Sequence, residues 1–345
     1  MKSFFLNYFF SKKFHKSYIS KKANMRLLKI SINKKTHKFG KKNKNKKFYV
    51  IKKKNGGGLF SNFFFVLSHL EYANKIKRIP IVDMENFPNF NSEVKPVNNT
   101  ENAWLYYFEP LSKYKLKDIY NSANVKFSDD KLIKNNFRYN DNKKRYIELF
   151  NRYKEIIKIK PAIKKQVSNF IKKNFQNKKV LGVHWRGTDY KYLPNHPLPP
   201  TEKQIFRLID DLLLKYKFEK IFVITEEQRY LEKLIKKYKN KICFYNSFRS
   251  NDSSDFLKNK RPKHKYKLGL ESLIEVLIMS KVKSMVGLMS NVSGAAIYFS
   301  NNKDFKFYEI NNGYNSSSII LSSFKWYLKK ILPEFFFGFK YYKKQ

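Results

Sequence analysis

The sequence has almost no cysteine, no long apolar run and no secretory leader pattern. Cys243 is the single cysteine of 345 residues, so an internal disulfide is excluded and a reducing, cytoplasmic setting is expected. We expect Cys243 to be a small apolar core residue. No stretch approaches the roughly 18 consecutive apolar residues of a membrane-spanning helix. The short N-terminal apolar run has no small-residue cleavage site after it, so secretion is not expected.

Acidic residues are also scarce: 27 Asp and Glu oppose 73 Lys and Arg, which gives a net charge of +46. Such an excess is typical of proteins that bind nucleic acid or an anionic membrane. However, Lys, Asn, Ile, Phe and Tyr are all abundant together, as an A/T-rich coding sequence would make them. No helix-turn-helix, zinc-finger or RNP-type motif is present, so no nucleic-acid partner is expected. Lysines interleaved with Phe and Tyr in the N-terminal region could still give peripheral contact with anionic lipid.

The order of the patterns predicts a tail and two α/β lobes. Residues 1–45 are highly charged without periodicity and are expected to be disordered. Residues 46–177 begin with a strand (48–52), a helix (59–76) and a strand (79–83), which form a βαβ unit. Residues 85–142 have weak periodicity and are interpreted as irregular inserts that contact an acceptor. A helix is predicted over 146–175.

Residues 178–345 alternate strands with helices and end in a C-terminal helix. Such repeats predict a parallel sheet with helices on both faces. The fold class is therefore α/β, with two Rossmann-like lobes facing a cleft. The predicted strands are 180–183, 221–224, 242–245, 285–289 and 305–310, and the predicted helices are 204–216, 230–238, 270–280 and a short one from 292.

The most informative motif is the strand Val180 to Val183, which runs directly into His184-Trp185-Arg186-Gly187-Thr188-Asp189. Ligands of open α/β sheets bind beyond the carboxyl ends of the strands. A guanidinium presents a planar fork of donors that matches phosphate oxygens, so Arg186 indicates an anionic ligand. Gly187 would let a backbone come close. A simple surface ion pair between Arg186 and Asp189 is the structural alternative.

Further motifs follow in order: His196-Pro197, Thr225-Glu226-Glu227, the run Leu273 to Ser280, and Ser290-Asn291-Val292-Ser293. Over residues 178–312 this set resembles the fucosyltransferase superfamily, which includes α1,6-fucosyltransferases, nodulation fucosyltransferases and protein O-fucosyltransferases. Asn55 to Asn62 and Ile79 to Asp83 are similar more loosely. The resemblance implies a GT-B-type glycosyltransferase that uses GDP-fucose or a related GDP-sugar, a glycan acceptor and no cofactor.

The resemblance also implies roles for the residues of the main motif. Arg186 would clamp the diphosphate and stabilise the leaving group. His184 would hydrogen-bond the nucleotide, orient Arg186 or simply pack in the strand. Asp189 would contribute to the same site or cap the following turn.

Other positions match the family's base, ribose and phosphate contacts. Glu226 and Glu227 follow a strand end near the base or ribose, and only one needs to point inward. Glu275 would accept hydrogen bonds from guanine, or would pair with one of the many lysines. The phosphate candidates are Ser290, Asn291 and Ser293 in a strand-to-helix loop, and Gly57 and Gly58 in a loop facing the cleft, which otherwise form a flexible turn.

The catalytic base is the point at which the chain departs from the family pattern. The α1,6 branch places a glutamate between the Arg-Asp motif and the His-Pro pair, whereas no carboxylate follows Asp189 before His196 here. Asp83, Glu85 and Asp189 are the candidates. An Asp-x-Asp motif is missing too, so we expect no metal. The resemblance implies an inverting transfer of fucose from GDP-fucose to a glycan or lipid-linked acceptor. The alternatives are another GDP-sugar donor and, in a different class, a basic nucleic-acid-binding protein.

Overall fold

The computed structural model describes residues 36–52, 57–129, 143–258 and 260–340. The chain forms two compact units, and neither is continuous in sequence. Unit 1 comprises Met1–Arg138, Arg152–Ile163 and Ser254–Leu270, and unit 2 comprises Tyr139–Asn151, Lys164–Ser253 and Glu271–Gln345. Each unit is therefore assembled from three separate stretches of the chain.

The strands are β1 Phe48–Ile51, β2 Ile79–Val82, β3 Val125–Phe127, β4 Val180–His184, β5 Lys220–Ile224, β6 Ile242–Phe244, β7 Ser284–Gly287 and β8 Lys306–Glu309. The helices are α1 Leu59–Lys75, α2 Leu116–Ile119, α3 Lys143–Tyr153, α4 Pro161–Asn174, α5 Glu202–Tyr216, α6 Gln228–Tyr238, α7 His264–Met279, α8 Asn291–Ser300 and α9 Ile319–Ile331. Short 3₁₀ turns lie at Ala103–Tyr106, Thr188–Lys191, Lys239–Lys241, Ser253–Phe256 and Glu334–Phe336.

Unit 1 contains a parallel sheet of order β2-β1-β3. All four residues of β1 are buried, as expected for a central parallel strand covered on both faces. The βαβ unit built from β1, α1 and β2 agrees with the sequence prediction. β3 was not predicted, because three residues in a polar, aromatic-rich region are too short to show a period. The core of unit 1 includes Phe48, Val50, Ile81, Val125 and Phe127, which pack together.

Residues 36–45 are ordered, and the expectation of disorder there is wrong. His37 donates a backbone hydrogen bond to Val125 at 2.7 Å, and Lys42 bridges to Ser122. Phe39 packs edge-on against Tyr120 with ring centroids 5.2 Å apart. Apolar contact therefore offsets the high charge of this stretch. The rest of the predicted tail, residues 1–35, lies outside the described part of the chain.

Unit 2 contains a parallel sheet of order β6-β5-β4-β7-β8. From β4 the chain moves outward through β5 to β6, and then crosses to the other side of β4 for β7 and β8. The strand order thus reverses between β4 and β7. In open α/β sheets this reversal opens a crevice at the carboxyl ends of the two strands, where ligands bind. The two Rossmann-like lobes were predicted in part correctly: both sheets are parallel and α/β.

Helix boundaries differ from prediction in two places. The helix predicted over 146–175 is two helices, because Pro161 has no backbone N–H and begins a new helix at its first position. α7 begins at His264 instead of 270, and the division between the units falls within it. Among the described residues, no helix is long and apolar enough to cross a membrane.

Candidate functional site

The strand-order reversal in unit 2 brings the main motif and the serine loop to the same edge of the sheet. His184 ends β4 and pairs in register with Gly287, which ends β7. A Cβ atom at Gly287 would lie 2.6 Å from the carbonyl oxygen of His184, so glycine is required for this close approach. Arg186 and Ser290 therefore follow neighbouring strands.

Arg186 is held between two carboxylates. Its Nη2 atom lies 2.8 Å from Asp189 Oδ1, and Nη1 pairs with Glu226 Oε1. The guanidinium also stacks over the ring of Tyr190, at 4.5 Å from the ring centroid. Its side chain is only 15% exposed, whereas the two carboxylates are about one-third exposed. The ion pair posed as the alternative is thus present, and it fixes the plane of the guanidinium at the crevice.

His184 is buried and its tautomer is set by its neighbours. Its Nδ1 lies 2.9 Å from Ser293 Oγ, and that hydroxyl donates to the Leu288 carbonyl oxygen at 2.7 Å. Because the single hydroxyl hydrogen of Ser293 is used there, Nδ1 of His184 must donate. Nε2 is then an acceptor. Burial, and secondarily the charge of Arg186, lower the pKa of His184 to about 3, so the ring is neutral at physiological pH.

Ser290 caps helix α8, and its hydroxyl accepts from the backbone N–H of Ser293 at 3.3 Å. Asn291, the first residue of the helix, is half-buried. Ser290 and Ser293 are both almost fully buried. Of the three residues predicted to lie in a strand-to-helix loop, Ser290 is the N-cap residue, whereas Asn291 and Ser293 lie in the first turn of α8.

Glu227 differs from Glu226 because it is completely enclosed. Its carboxylate pairs with Lys191 at 2.8 Å and with Arg229. A Cβ at Gly187 would collide with Glu227 and with the ring of Tyr230. The backbone of Gly187 therefore lies in close contact with the side chains of Glu227 and Tyr230. Of the two adjacent glutamates, Glu226 is the one at the surface.

Glu275 is paired with Arg249 and not with a lysine. Arg249 Nη2 lies 2.9 Å from Glu275 Oε1, and both side chains are under 10% exposed. Arg249 also donates to the backbone carbonyls of Ser247 and Tyr245. Burial raises the pKa of Glu275 to about 7, although Arg249 opposes this. The carboxylate is therefore poised to change charge near neutrality.

In unit 1, Gly57 and Gly58 precede α1, with Gly58 as its N-cap residue. Asp83 is fully buried: it accepts from Tyr120 at 2.5 Å and from the backbone of Asn86 at 2.9 Å. Its pKa is raised by burial, and its hydrogen bonds make it a turn-stabilising group, so it is a poor candidate base. Glu85 is exposed and lines a cavity of about 290 Å³ with Trp104.

Three residues of the unit 2 site were missed from the sequence: Tyr190, Lys191 and Arg249. Tyr190 and Lys191 directly follow Asp189 in the 3₁₀ turn Thr188–Lys191, so their position beside the motif could have been noticed. Arg249 lies in a loop 26 residues before Glu275, and nothing in the sequence distinguishes it from other basic residues. Among the described residues, no group of three or more His, Cys, Asp and Glu side chains could hold a metal.

The fold and site define an α/β protein with an arginine and a serine-capped helix at a strand-order reversal, an arrangement suited to a phosphate-bearing ligand. No family model matches the chain. A curated relative is GDP-fucose protein O-fucosyltransferase 2 from Plasmodium berghei (strain Anka), 26% identical over 141 residues, which are 41% of this chain and 27% of the relative. The match thus spans about a quarter of that protein's length.

Two solved structures align with the chain at TM-scores below 0.5. The fucosyltransferase NodZ from Bradyrhizobium is 14% identical with a TM-score of 0.44, covering 74% of this chain and 92% of that chain. POFUT1 in complex with GDP-fucose is 11% identical with a TM-score of 0.47, covering 76% and 97%. The resemblance to the fucosyltransferase superfamily that the motifs predicted is confirmed as a similarity in sequence.

Proposed function

We propose that the protein is a glycosyltransferase that moves fucose from GDP-fucose to a hydroxyl group of a glycan or lipid-linked acceptor. The observation that carries this proposal is that Arg186 and the serine-capped N-terminus of α8 follow the carboxyl ends of the neighbouring strands β4 and β7. The curated relative's name supports the donor. A related GDP-sugar is the alternative donor.

The proposed step is a displacement at the anomeric carbon. The bond from that carbon to the β-phosphate oxygen breaks, and GDP leaves with the electron pair. The acceptor oxygen forms the new bond from the opposite face, which inverts the configuration, and its proton passes to a base. Negative charge grows on the leaving phosphate, so a fixed guanidinium stabilises the transition state more than the bound donor.

Arg186 would neutralise that charge in place of a metal. Its guanidinium has five N–H donors, so it can contact phosphate oxygens while Asp189 and Glu226 hold its plane. The first-turn N–H groups of α8, which follows the adjacent strand β7, would add hydrogen-bond donors for the phosphate oxygens. His184 Nε2 would accept a hydrogen bond from a ribose or sugar hydroxyl. At a pKa of about 3 it is too weakly basic to remove a proton.

Guanine would be recognised by Glu275. An ionised carboxylate can accept from both the ring N–H and the exocyclic amine of guanine, and Arg249 would fix its orientation through Oε1. Glu226 would lie toward the ribose. Glu227 supports the turn that carries Lys191 and is too enclosed to contact a donor without rearrangement.

Two carboxylates are the candidates for the base: Asp189 and Glu85, because Asp83 is enclosed. Gly57 and Gly58 would contribute to donor binding from the N-terminus of α1.

Nucleotide titration tests the proposal against the nucleic-acid-binding alternative. We expect GDP to bind at micromolar concentration, with UDP and ADP binding at least tenfold more weakly, in buffer containing EDTA. Binding of RNA or DNA that weakens steeply with salt, without selective GDP binding, would favour the alternative class.

A further inference from the structure

Helix α9 of unit 2 exposes an apolar stripe along its length. The residues recur at spacings of four, three, one and three, which places them on one side of a helix. They are Ile320 (65% exposed), Phe324 (44%), Tyr327 (49%), Leu328 (51%) and Ile331 (81%). Single exposed apolar residues are ordinary on protein surfaces, but a continuous row of five marks an interaction surface.

Exposed apolar residues continue beyond the helix. The 3₁₀ turn Glu334–Phe336 follows α9, and three consecutive phenylalanines in it and directly after it are exposed: Phe335 (80%), Phe336 (58%) and Phe337 (85%). We call these eight residues the α9 face.

The opposite side of α9 is firmly attached to unit 2. Ser322 is fully buried and Trp326 is 5% exposed. Trp326 Nε1 donates to the Pro199 carbonyl at 2.8 Å, and its ring packs with Leu198 and Phe339. The helix is therefore oriented by one side, and the α9 face points away from the core that holds it.

Basic residues border the α9 face on both sides. At 100° per residue, Lys325 falls about 60° beyond one edge of the stripe and Lys330 about 60° beyond the other, whereas Lys329 lies on the side that packs against unit 2. Residues 319–340 contain four lysines and a single acidic residue, Glu334. Burial, and secondarily the charges of Lys325 and Lys340, lower the pKa of Lys329.

We propose that the α9 face docks on an anionic membrane surface. An apolar stripe flanked by lysines on both sides is the pattern of helices that lie in the lipid interface, where the side chains enter the acyl region and the lysines meet the headgroups. A purely apolar protein partner would leave these charges unmatched. Lipid phosphate and carboxylate groups match them.

The attachment of α9 links this surface to the strand-end site. Asn315, just before the helix, donates to the Lys191 carbonyl at 3.4 Å, and Lys191 Nζ lies 5.4 Å from the Trp326 ring centroid. Docking would therefore hold the turn Thr188–Lys191, next to Arg186, close to the lipid surface. The proposal concerns a separate surface and does not depend on which nucleotide is bound.

Vesicle co-sedimentation of the full chain tests the proposal. We expect binding to phosphatidylcholine vesicles that contain phosphatidylserine, and at least tenfold weaker partition onto phosphatidylcholine alone. The triple variant Ile320→Ser, Leu328→Ser, Ile331→Ser should lower partition at least tenfold, and Lys325→Gln with Lys330→Gln should lower it about tenfold. All substituted positions are on the surface, and unchanged near-UV circular dichroism would establish that the fold is kept.

The matched controls are Leu214→Ser, an apolar residue 78% exposed on α5, and Lys164→Gln with Lys165→Gln on α4. These variants should bind as the unaltered chain does. A fluorophore on Phe335→Cys should shift to the blue on anionic vesicles, and one on Leu214→Cys should not.

Three results would overturn the proposal. They are absence of binding to anionic vesicles, equal binding by the α9-face variants, which would implicate another segment such as residues 1–35, and a concentration-dependent dimer that the triple variant abolishes without any lipid binding. The last result would assign the face to a second copy of the chain.

Discussion

Nδ1 of His184 lies 2.9 Å from Ser293 Oγ, and this contact joins the end of β4 to the first turn of α8 across the strand-order reversal. The hydroxyl accepts from the ring and donates to the Leu288 carbonyl. One serine therefore fixes the tautomer of the histidine and ties the first turn of α8 to the strand that precedes Arg186.

Removing this hydroxyl should loosen the joint. Ser293→Ala leaves the His184 Nδ1–H and the Leu288 carbonyl without this partner in a buried place, so we expect a loss of about 1 to 3 kcal/mol in the free energy of unfolding. Urea denaturation measures it. Ser323→Ala, whose hydroxyl bonds only a backbone carbonyl on the surface of α9, is the control and should change stability by less than about 0.5 kcal/mol. Equal effects in the two variants would show that the contact is not structural.

Two glycines near candidate sites should respond oppositely to alanine. Gly187→Ala introduces a Cβ against Glu227 and Tyr230, and we expect it to cost about 1 to 3 kcal/mol. Gly58→Ala meets nothing within 4 Å at a φ of −59°, so stability should be unchanged or raised slightly. Thermal melts of both variants measure the contrast. If the Gly187→Ala protein were as stable as Gly58→Ala, the side chains of Glu227 and Tyr230 would be able to shift without cost, contrary to this prediction.

Guanine recognition should depend on pH through Glu275. Its pKa of about 7 lies above the ordinary glutamate value, so the group is mostly protonated at pH 6 and mostly ionised at pH 8. Because the ionised form accepts both hydrogen bonds from guanine, guanosine affinity should rise about tenfold between pH 6 and pH 8. Guanosine avoids the titration of the phosphates. In Glu275→Gln the rise should vanish, and a flat profile in the unaltered protein would remove Glu275 from the base contact.

Much of unit 2 was predictable because its central strands β4 and β5 are mostly apolar runs of five residues, and helices with clear periodicity follow. β4 and its motif were predicted in place, and Arg186, Asp189 and Glu226 do converge. The pairing of Glu275 could not be foreseen, because a buried ion pair depends on which of many basic residues a loop brings near, and loops carry no periodic pattern.

Unit 1 was less predictable for a related reason. β3 is held by its pairing with β1 and not by a pattern in its own sequence. Residues 36–45 are ordered by the packing of Phe39, which their high charge gave no reason to expect. The distinction between Glu226 and Glu227 is also a tertiary property. Glu227 directly precedes α6 and pairs with buried Lys191, whereas Glu226 is partly exposed and pairs with Arg186.

Metal-independent cleavage of a GDP-sugar at Arg186 can be measured as the rate of GDP release from GDP-fucose in excess EDTA, by the unaltered protein and by Arg186→Lys, with Arg152→Lys at an exposed position as the control. Lysine keeps the charge but loses the planar fork. We therefore expect release by the unaltered protein and by the control, and at least a roughly 100-fold slower rate in Arg186→Lys. Release that requires added Mn²⁺ or Mg²⁺, or an Arg186→Lys protein that works at the full rate, would show that Arg186 does not take the place of a metal.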